Sequence, residues 1–136
     1  MTTKADIALW RLYALRSGYL LLVVGLGLTV WPGIIHHDRP WTPAGGVAHC
    51  MLAAMGALAV LGLRYPLAML PLLFFEVAWK VVWLAVVALP LLCAHTMDLD
   101  TAETVNECLL VVVIAAVIPW DHVARYFVLT AGDRWR

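Results

Sequence analysis

The stretch from Ser17 to Ile35, which contains no charged residue, constrains the fold of this chain more than any other feature. An α-helix needs about 20 consecutive apolar residues to cross the hydrocarbon core of a bilayer. Comparable stretches recur along the chain, and 64% of the 136 residues are hydrophobic while 13% are charged. Soluble domains carry about 25% charged residues. The sequence therefore predicts one integral membrane domain over residues 1–136, with room for at most about five spans.

The apolar stretches and the loops between them predict four membrane-spanning helices. A polar loop broken by Pro40 and Pro43 separates the first two, because proline lacks a backbone donor and disfavours helix at the preceding residue. The short turn Arg64-Tyr65-Pro66 makes the second and third helices antiparallel neighbours. The expected fold is an all-α, antiparallel four-helix bundle, with spans at about residues 14–35, 44–63, 66–92 and 101–120.

Two helix boundaries carry specific signals. Gly62 is suited to end the second helix, and Pro66 is suited to the first turn of the third. The fourth helix is expected to start at a capping box, with Asp100 as the N-cap and Glu103 as the third helical residue. The uncharged part of this helix, Cys108 to Trp120, is too short to span the bilayer alone. Its polar first turns are therefore expected in the headgroup region or against protein.

The distribution of charge predicts the orientation, because cations near span ends are retained in the cytoplasm. With both termini cytoplasmic in a cell inner membrane, the outer loops carry only Arg39. The inner segments then carry seven cations, which are Lys4, Arg11, Arg16, Arg64, Arg125, Arg134 and Arg136. Five acids lie on the outer side, namely Asp38, Asp98, Asp100, Glu103 and Glu107.

The formal net charge of zero argues against nucleic acid as a partner, because phosphate contacts need an excess of clustered cations. The expected partner is the lipid bilayer itself. A lipid or quinone ligand, a second copy of the chain and a membrane partner protein are further candidates.

Glu76 and Lys80 lie inside the third span. Glu76 is about ten residues, or roughly 15 Å, into that span, which places it near the bilayer centre. An ionised side chain at that depth costs about 2.5–3.5 kcal/mol, so such groups usually face the bundle and have a partner. The i,i+4 spacing with the glutamate first favours an ion pair. Trp79 and Trp83 share the same helix face.

This arrangement has a structural and a functional interpretation. In the structural one, Glu76 and Lys80 neutralise each other and hold the helix to its neighbours. In the functional one, Glu76 accepts or donates a proton, Lys80 stabilises negative charge, and the indoles of Trp79 and Trp83 pack on a flat apolar molecule. The functional interpretation covers a lipid-, quinone- or isoprenoid-binding accessory module, an isomerase-like membrane enzyme, and an oligomeric proton-coupled transporter.

Polar residues of the outer half extend the candidate site. His49 lies within the second span and needs a hydrogen-bond partner. Glu107 is the expected partner, and Asn106 lies beside it on the amphipathic turn of the fourth helix. The histidines of the outer side, His36, His37, His49 and His95, show no metal-ligand spacing, so no metal site is predicted.

Three cysteines, Cys50, Cys93 and Cys108, are expected near the outer face, and none forms a Cys-x-x-Cys pair. Either they behave as small apolar residues, or Cys93 and Cys108 form a disulfide and Cys50 has no disulfide partner.

The segment from Met51 to Arg64, Met-Leu-Ala-Ala-Met-Gly-Ala-Leu-Ala-Val-Leu-Gly-Leu-Arg, is followed at once by another span. It resembles the junction of the second and third helices in DoxX-like small bacterial membrane proteins. That resemblance implies four helices and an accessory role, since some of those proteins are associated with membrane oxidoreductase or thiol-stress assemblies. The intramembrane acid and tryptophans also look similar to four-span lipid-ligand domains of the EXPERA type, as in sterol isomerases.

Overall fold

The computed structural model describes residues 7–37 and 39–132, and all regular structure within these ranges is helical. The predicted all-α fold is thereby confirmed. The predicted charges Lys4, Asp38, Arg134 and Arg136 lie outside the described residues. The helices are α1 (Leu9–Thr29), α2 (Trp31–His36), α3 (Pro43–Arg64), α4 (Leu70–Trp83), α5 (Leu89–Cys93), α6 (Leu99–Leu109), α7 (Val111–Val117) and α8 (Trp120–Val123). Two π-helical segments, Leu84–Ala88 and Ala124–Leu129, follow α4 and α8.

Three helical stretches of the described chain are long and apolar enough to cross a membrane, which are Leu9–His36, Pro43–Arg64 and Leu70–Cys93. A fourth candidate consists of Leu99–Val117 followed by Trp120–Leu129, and the two parts are bent by 69° at Ile118 and Pro119. Residues 7–37 and 39–132 thus form a helical protein with three helices that are long and apolar enough to cross a membrane, or four if the bent pair is one span.

Helices α1 and α3 are antiparallel and in close contact along their length. Gly62 of α3 faces the ring of Tyr19, and Gly56 faces Leu26. Residue numbers therefore rise along α3 as they fall along α1. A Cβ at Gly62 would overlap the Tyr19 ring. Small residues permit such close helix approach in membranes.

The two predicted signals at the turn between the second and third spans are wrong. Gly62 lies inside α3, which continues to Arg64. A glycine is needed there because a side chain would overlap the Tyr19 ring. Pro66 belongs to a turn at residues 66–69, and α4 begins at Leu70. The Pro66 carbonyl accepts a 2.8 Å hydrogen bond from the Tyr19 hydroxyl, so α1 fixes this turn.

The buried core lies where α1, α3, α4 and α7 come together. Gly18 of α1 faces Val117 and Ile114, which brings α7 against the middle of α1. The core side chains are Leu15, Tyr19, Leu22, Ala59, Leu70, Leu73, Ile114 and Ile118.

The N-cap of α6 is Asp98, and the predicted cap at Asp100 is wrong. Asp98 Oδ1 accepts a 3.1 Å hydrogen bond from the Thr101 amide, so the helix begins two residues earlier than the spacing from Asp100 to Glu103 suggested. Asp100 lies in the first turn, and its carbonyl accepts from the Thr104 hydroxyl. Hydrogen bonding by Thr101 lowers the pKa of the Asp98 carboxyl below its ordinary value.

Candidate functional site

Glu76 lies on the inward face of α4. Leu70, Leu73 and Glu76 recur at intervals of three and are all buried, with Glu76 only 1% exposed. Because α4 starts at Leu70, Glu76 lies about 9 Å from the beginning of the helix at 1.5 Å per residue. It is thus closer to the start of the span than the sequence predicted.

Both oxygens of the Glu76 carboxylate have a partner. Lys80 Nζ lies 2.5 Å from Oε1, and Trp79 Nε1 donates a 2.8 Å hydrogen bond to Oε2. The Lys80 ammonium also lies 5.6 Å from the Trp79 ring centroid, in cation–π range. The structure thus brings Glu76, Trp79 and Lys80 together in one group, which we call the charged triad.

Cys108 lies in the neighbourhood of the charged triad. The residue is buried, at 1% exposed, and its thiol lies within electrostatic range of Lys80 and Glu76. All three cysteines are free, so Cys93 and Cys108 do not form a disulfide. No sequence pattern indicates this position of Cys108, because it depends on how α6 packs against the π-helical segment Leu84–Ala88 that follows α4.

The indoles of Trp79 and Trp83 line an open groove of about 510 Å³ on the side of α4 that faces away from the core. The other lining residues are Phe75, Ala78, Val82, Val86 and Val87, and we call this set the indole groove. The single helix face predicted for Glu76, Lys80 and the two tryptophans is therefore divided, since Glu76 lies in the core and the indoles border the groove. The apolar lining follows the three-and-four spacing from Trp79, a signal the sequence already contains.

A π-helical segment forms the far end of the indole groove. The Leu89 amide bonds to the Leu84 carbonyl across five residues. Pro90 lacks an amide hydrogen, and its ring would crowd the Val86 carbonyl four residues earlier in a regular α-helix. The wider π turn relieves this conflict, and Val86 and Val87 both line the groove. Such π segments occur frequently at functional sites.

His49 satisfies its hydrogen bonding within its own helix. Its Nδ1 lies 2.8 Å from the Gly45 carbonyl, so Nδ1–H donates there. Its ring stacks on Trp41 at 4.5 Å, and His37 meets the edge of the same indole at 4.6 Å. Among the described residues, no hydrogen bond joins His49 to Glu107, the partner expected from the sequence. The Gly45 carbonyl of the same helix takes that place.

The remaining residues predicted for the site are Asn106 and Glu107, and both are exposed on α6. Within residues 7–37 and 39–132, no group of three histidine, cysteine or acidic side chains is placed to hold a metal ion.

No protein family, curated protein or solved structure matches this chain. The resemblances to DoxX-like proteins and to EXPERA domains therefore stay predictions.

Proposed function

We propose that this chain is a four-span inner-membrane protein that binds a quinone- or isoprenoid-class lipid in the indole groove, as an accessory binding module. The observation that carries the proposal is the direct link between triad and groove. Trp79 donates its N–H to the buried Glu76 carboxylate, and its ring lines the groove. A buried ion pair thereby holds one wall of an apolar binding surface in place.

The position of the two tryptophans supports a ligand. Tryptophan is enriched at the two membrane interfaces, where its N–H reaches water. Trp79 and Trp83 lie about 14 and 20 Å into a helix about 36 Å long, at 1.5 Å per residue. Lipid contact alone gives no reason for an indole at that depth, whereas a flat apolar ring can stack on it.

The chemistry of the indole groove favours a flat apolar ring over a plain acyl chain. All seven lining residues have apolar or indole side chains, so the body of the ligand must be apolar. The indoles of Trp79 and Trp83 add flat aromatic faces on which a ring can stack. A quinone with an isoprenoid tail combines these features.

The bonding of Glu76 supports a positioning role over the catalytic role that the sequence also predicted. Proton transfer to a substrate needs an oxygen within hydrogen-bond reach of it. Lys80 and Trp79 already occupy the two oxygens.

The grouping of arginines supports the proposed orientation with both termini cytoplasmic. Arg16 donates to the Leu63 carbonyl, which places the start of α1 beside the end of α3 and Arg64. Asp121 joins Arg11 to Arg125 at the same end of the molecule. Four arginines thus share the proposed cytoplasmic end, as expected for cations near span ends. Leu99–Val117, about 28 Å long at 1.5 Å per residue, serves as the fourth span.

The orientation is tested with two single cysteines in a Cys50→Ser/Cys93→Ser background, where the remaining Cys108 is buried. A membrane-impermeant maleimide added to intact spheroplasts is expected to label Thr96→Cys, in the loop before α6, and to leave Ala131→Cys unlabelled until the membrane is permeabilised. The reverse pattern, or equal labelling at both positions, would contradict the orientation.

The binding proposal is tested with decylubiquinone titrated into the detergent-purified protein, followed by its stabilising effect on thermal unfolding. Replacing Trp83 with leucine is expected to weaken binding about tenfold, because it removes a stacking surface worth about 1 kcal/mol or slightly more. Trp10→Leu is the matched control, since Trp10 lies outside the groove and should leave the affinity unchanged. Equal affinities in all three proteins, or no saturable binding, would overturn the proposal.

A further inference from the structure

A second cavity, of about 530 Å³, lies between the start of α1 and α8, outside the indole groove. Its polar lining comes from Arg11, Asp121, His122 and Arg125, and Trp10 adds an indole. The bend of 69° at Ile118 and Pro119 turns α8 back toward α1 and so forms this cavity.

The lining of this cavity carries an excess of positive charge. Arg11 Nη1 lies 2.6 Å from Asp121 Oδ1, and Arg125 Nη2 lies 3.1 Å from Asp121 Oδ2. A single carboxylate thus stands between two guanidinium groups, which leaves one positive charge in excess. Each guanidinium has five N–H donors in a fork that fits carboxylate or phosphate. One carboxylate cannot use all of these donors.

We propose that this cavity binds the phosphate of an anionic phospholipid headgroup. The four arginines place it at the proposed cytoplasmic end, where the anionic lipids of the leaflet concentrate negative charge. Trp10 is 67% exposed beside Arg11, whose guanidinium lies 5.5 Å from the indole ring. An exposed indole at a span end sits at headgroup level, which favours a phosphate attached to a lipid over a free one.

Asp121 has two effects in this site. It pairs with both Arg11 and Arg125 in the cavity lining, although residues 11 and 121 are 110 positions apart. It also offsets one of their two charges, so it competes with a bound phosphate. This second effect predicts that neutralising Asp121 strengthens anion binding, whereas neutralising an arginine weakens it.

The test is native mass spectrometry of the full chain in detergent with dioleoylphosphatidylglycerol or dioleoylphosphatidylcholine, which have identical tails. The wild type is expected to bind phosphatidylglycerol more tightly by about fivefold, since an arginine near an anionic surface contributes about that factor. Arg11→Gln/Arg125→Gln should abolish the preference, and Asp121→Asn should increase it. Arg64→Gln is the control for the single variant Arg125→Gln, since both lose one positive charge at the same end of the molecule and Arg64 has no place in the cavity lining.

The single variant Arg125→Gln guards against misfolding, because it keeps the ion pair between Arg11 and Asp121 and should still lower the preference. The proposal is overturned if Arg64→Gln lowers the preference as much as Arg125→Gln does, since the effect is then general surface charge. It is also overturned if sodium phosphate binds as tightly as phosphatidylglycerol, since the site then recognises free phosphate.

Discussion

Replacing Lys80 with methionine is expected to lower the free energy of unfolding by about 3–5 kcal/mol, as found when one partner of a buried ion pair is removed. Glu76 is 1% exposed, so its carboxylate cannot turn to water once the ammonium is gone. The Trp79 N–H remains as its neutral partner. The unfolding of detergent-solubilised protein, followed by circular dichroism during titration with a denaturing detergent, measures this loss.

The matched double variant Glu76→Gln/Lys80→Met separates the charge from the packing. Glutamine can still accept the hydrogen bond from Trp79, and no buried charge is left without a partner. We expect it to recover all but about 1 kcal/mol, because replacing a whole buried pair is often close to neutral. If Lys80→Met alone is as stable as the double variant, Glu76 carries no uncompensated charge, and the pair does not stabilise the fold.

Replacing Gly62 with alanine is expected to destabilise the protein by about 1–3 kcal/mol or slightly more, the usual cost of overpacking a core. The new methyl group would overlap the Tyr19 ring, which is fully buried and whose hydroxyl is bonded to the Pro66 carbonyl. The ring cannot move aside without losing that bond or separating α1 from α3. The same denaturation assay measures the change.

Gly27→Ala is the control for this substitution. Gly27 also lies inside a helix, but apart from its chain neighbours and the backbone of its own helix, no described atom lies within 4 Å of the Cβ it would gain. Alanine is favoured over glycine in a helix interior by about 0.5–1 kcal/mol, so this variant should be neutral or more stable. Equal stability of the Gly62→Ala and Gly27→Ala proteins would contradict the close packing of Tyr19 on α3.

The helical class and the pairing of Glu76 with Lys80 were predictable because both follow from local spacing. Uncharged stretches of span length indicate membrane helices, and an i,i+4 acid and base lie within reach of each other on any helix. The structure confirms that the chain is helical and places Lys80 Nζ 2.5 Å from the Glu76 carboxylate.

Other features depend on contacts between distant segments. Gly62 looked like a helix end, but its role is set by Tyr19, which lies on another helix. The cavity at Arg11 requires the bend near Pro119. Asp121, the ion-pair partner of Arg11, is 110 positions away in the sequence. For His49 the sequence indicated the need for a hydrogen bond, yet the carbonyl of Gly45 in the same helix meets it.

The charged triad gives the two interpretations of Glu76 and Lys80 a common basis. The pair satisfies itself, as the structural interpretation requires, and it also orients Trp79 at the indole groove. A structural pair and the proposed ligand site are therefore compatible, since in the proposed function the pair acts on the ligand through the indole of Trp79.

Mass spectrometry of the lipids that remain with the protein after purification tests the central proposal most directly. The wild type is expected to retain a quinone- or isoprenoid-class lipid in about equimolar amount, and Trp83→Leu is expected to lose it while Trp10→Leu keeps it. Bulk phospholipid alone in all three proteins, or an isoprenoid lipid that Trp83→Leu retains in full, would contradict a ligand in the indole groove.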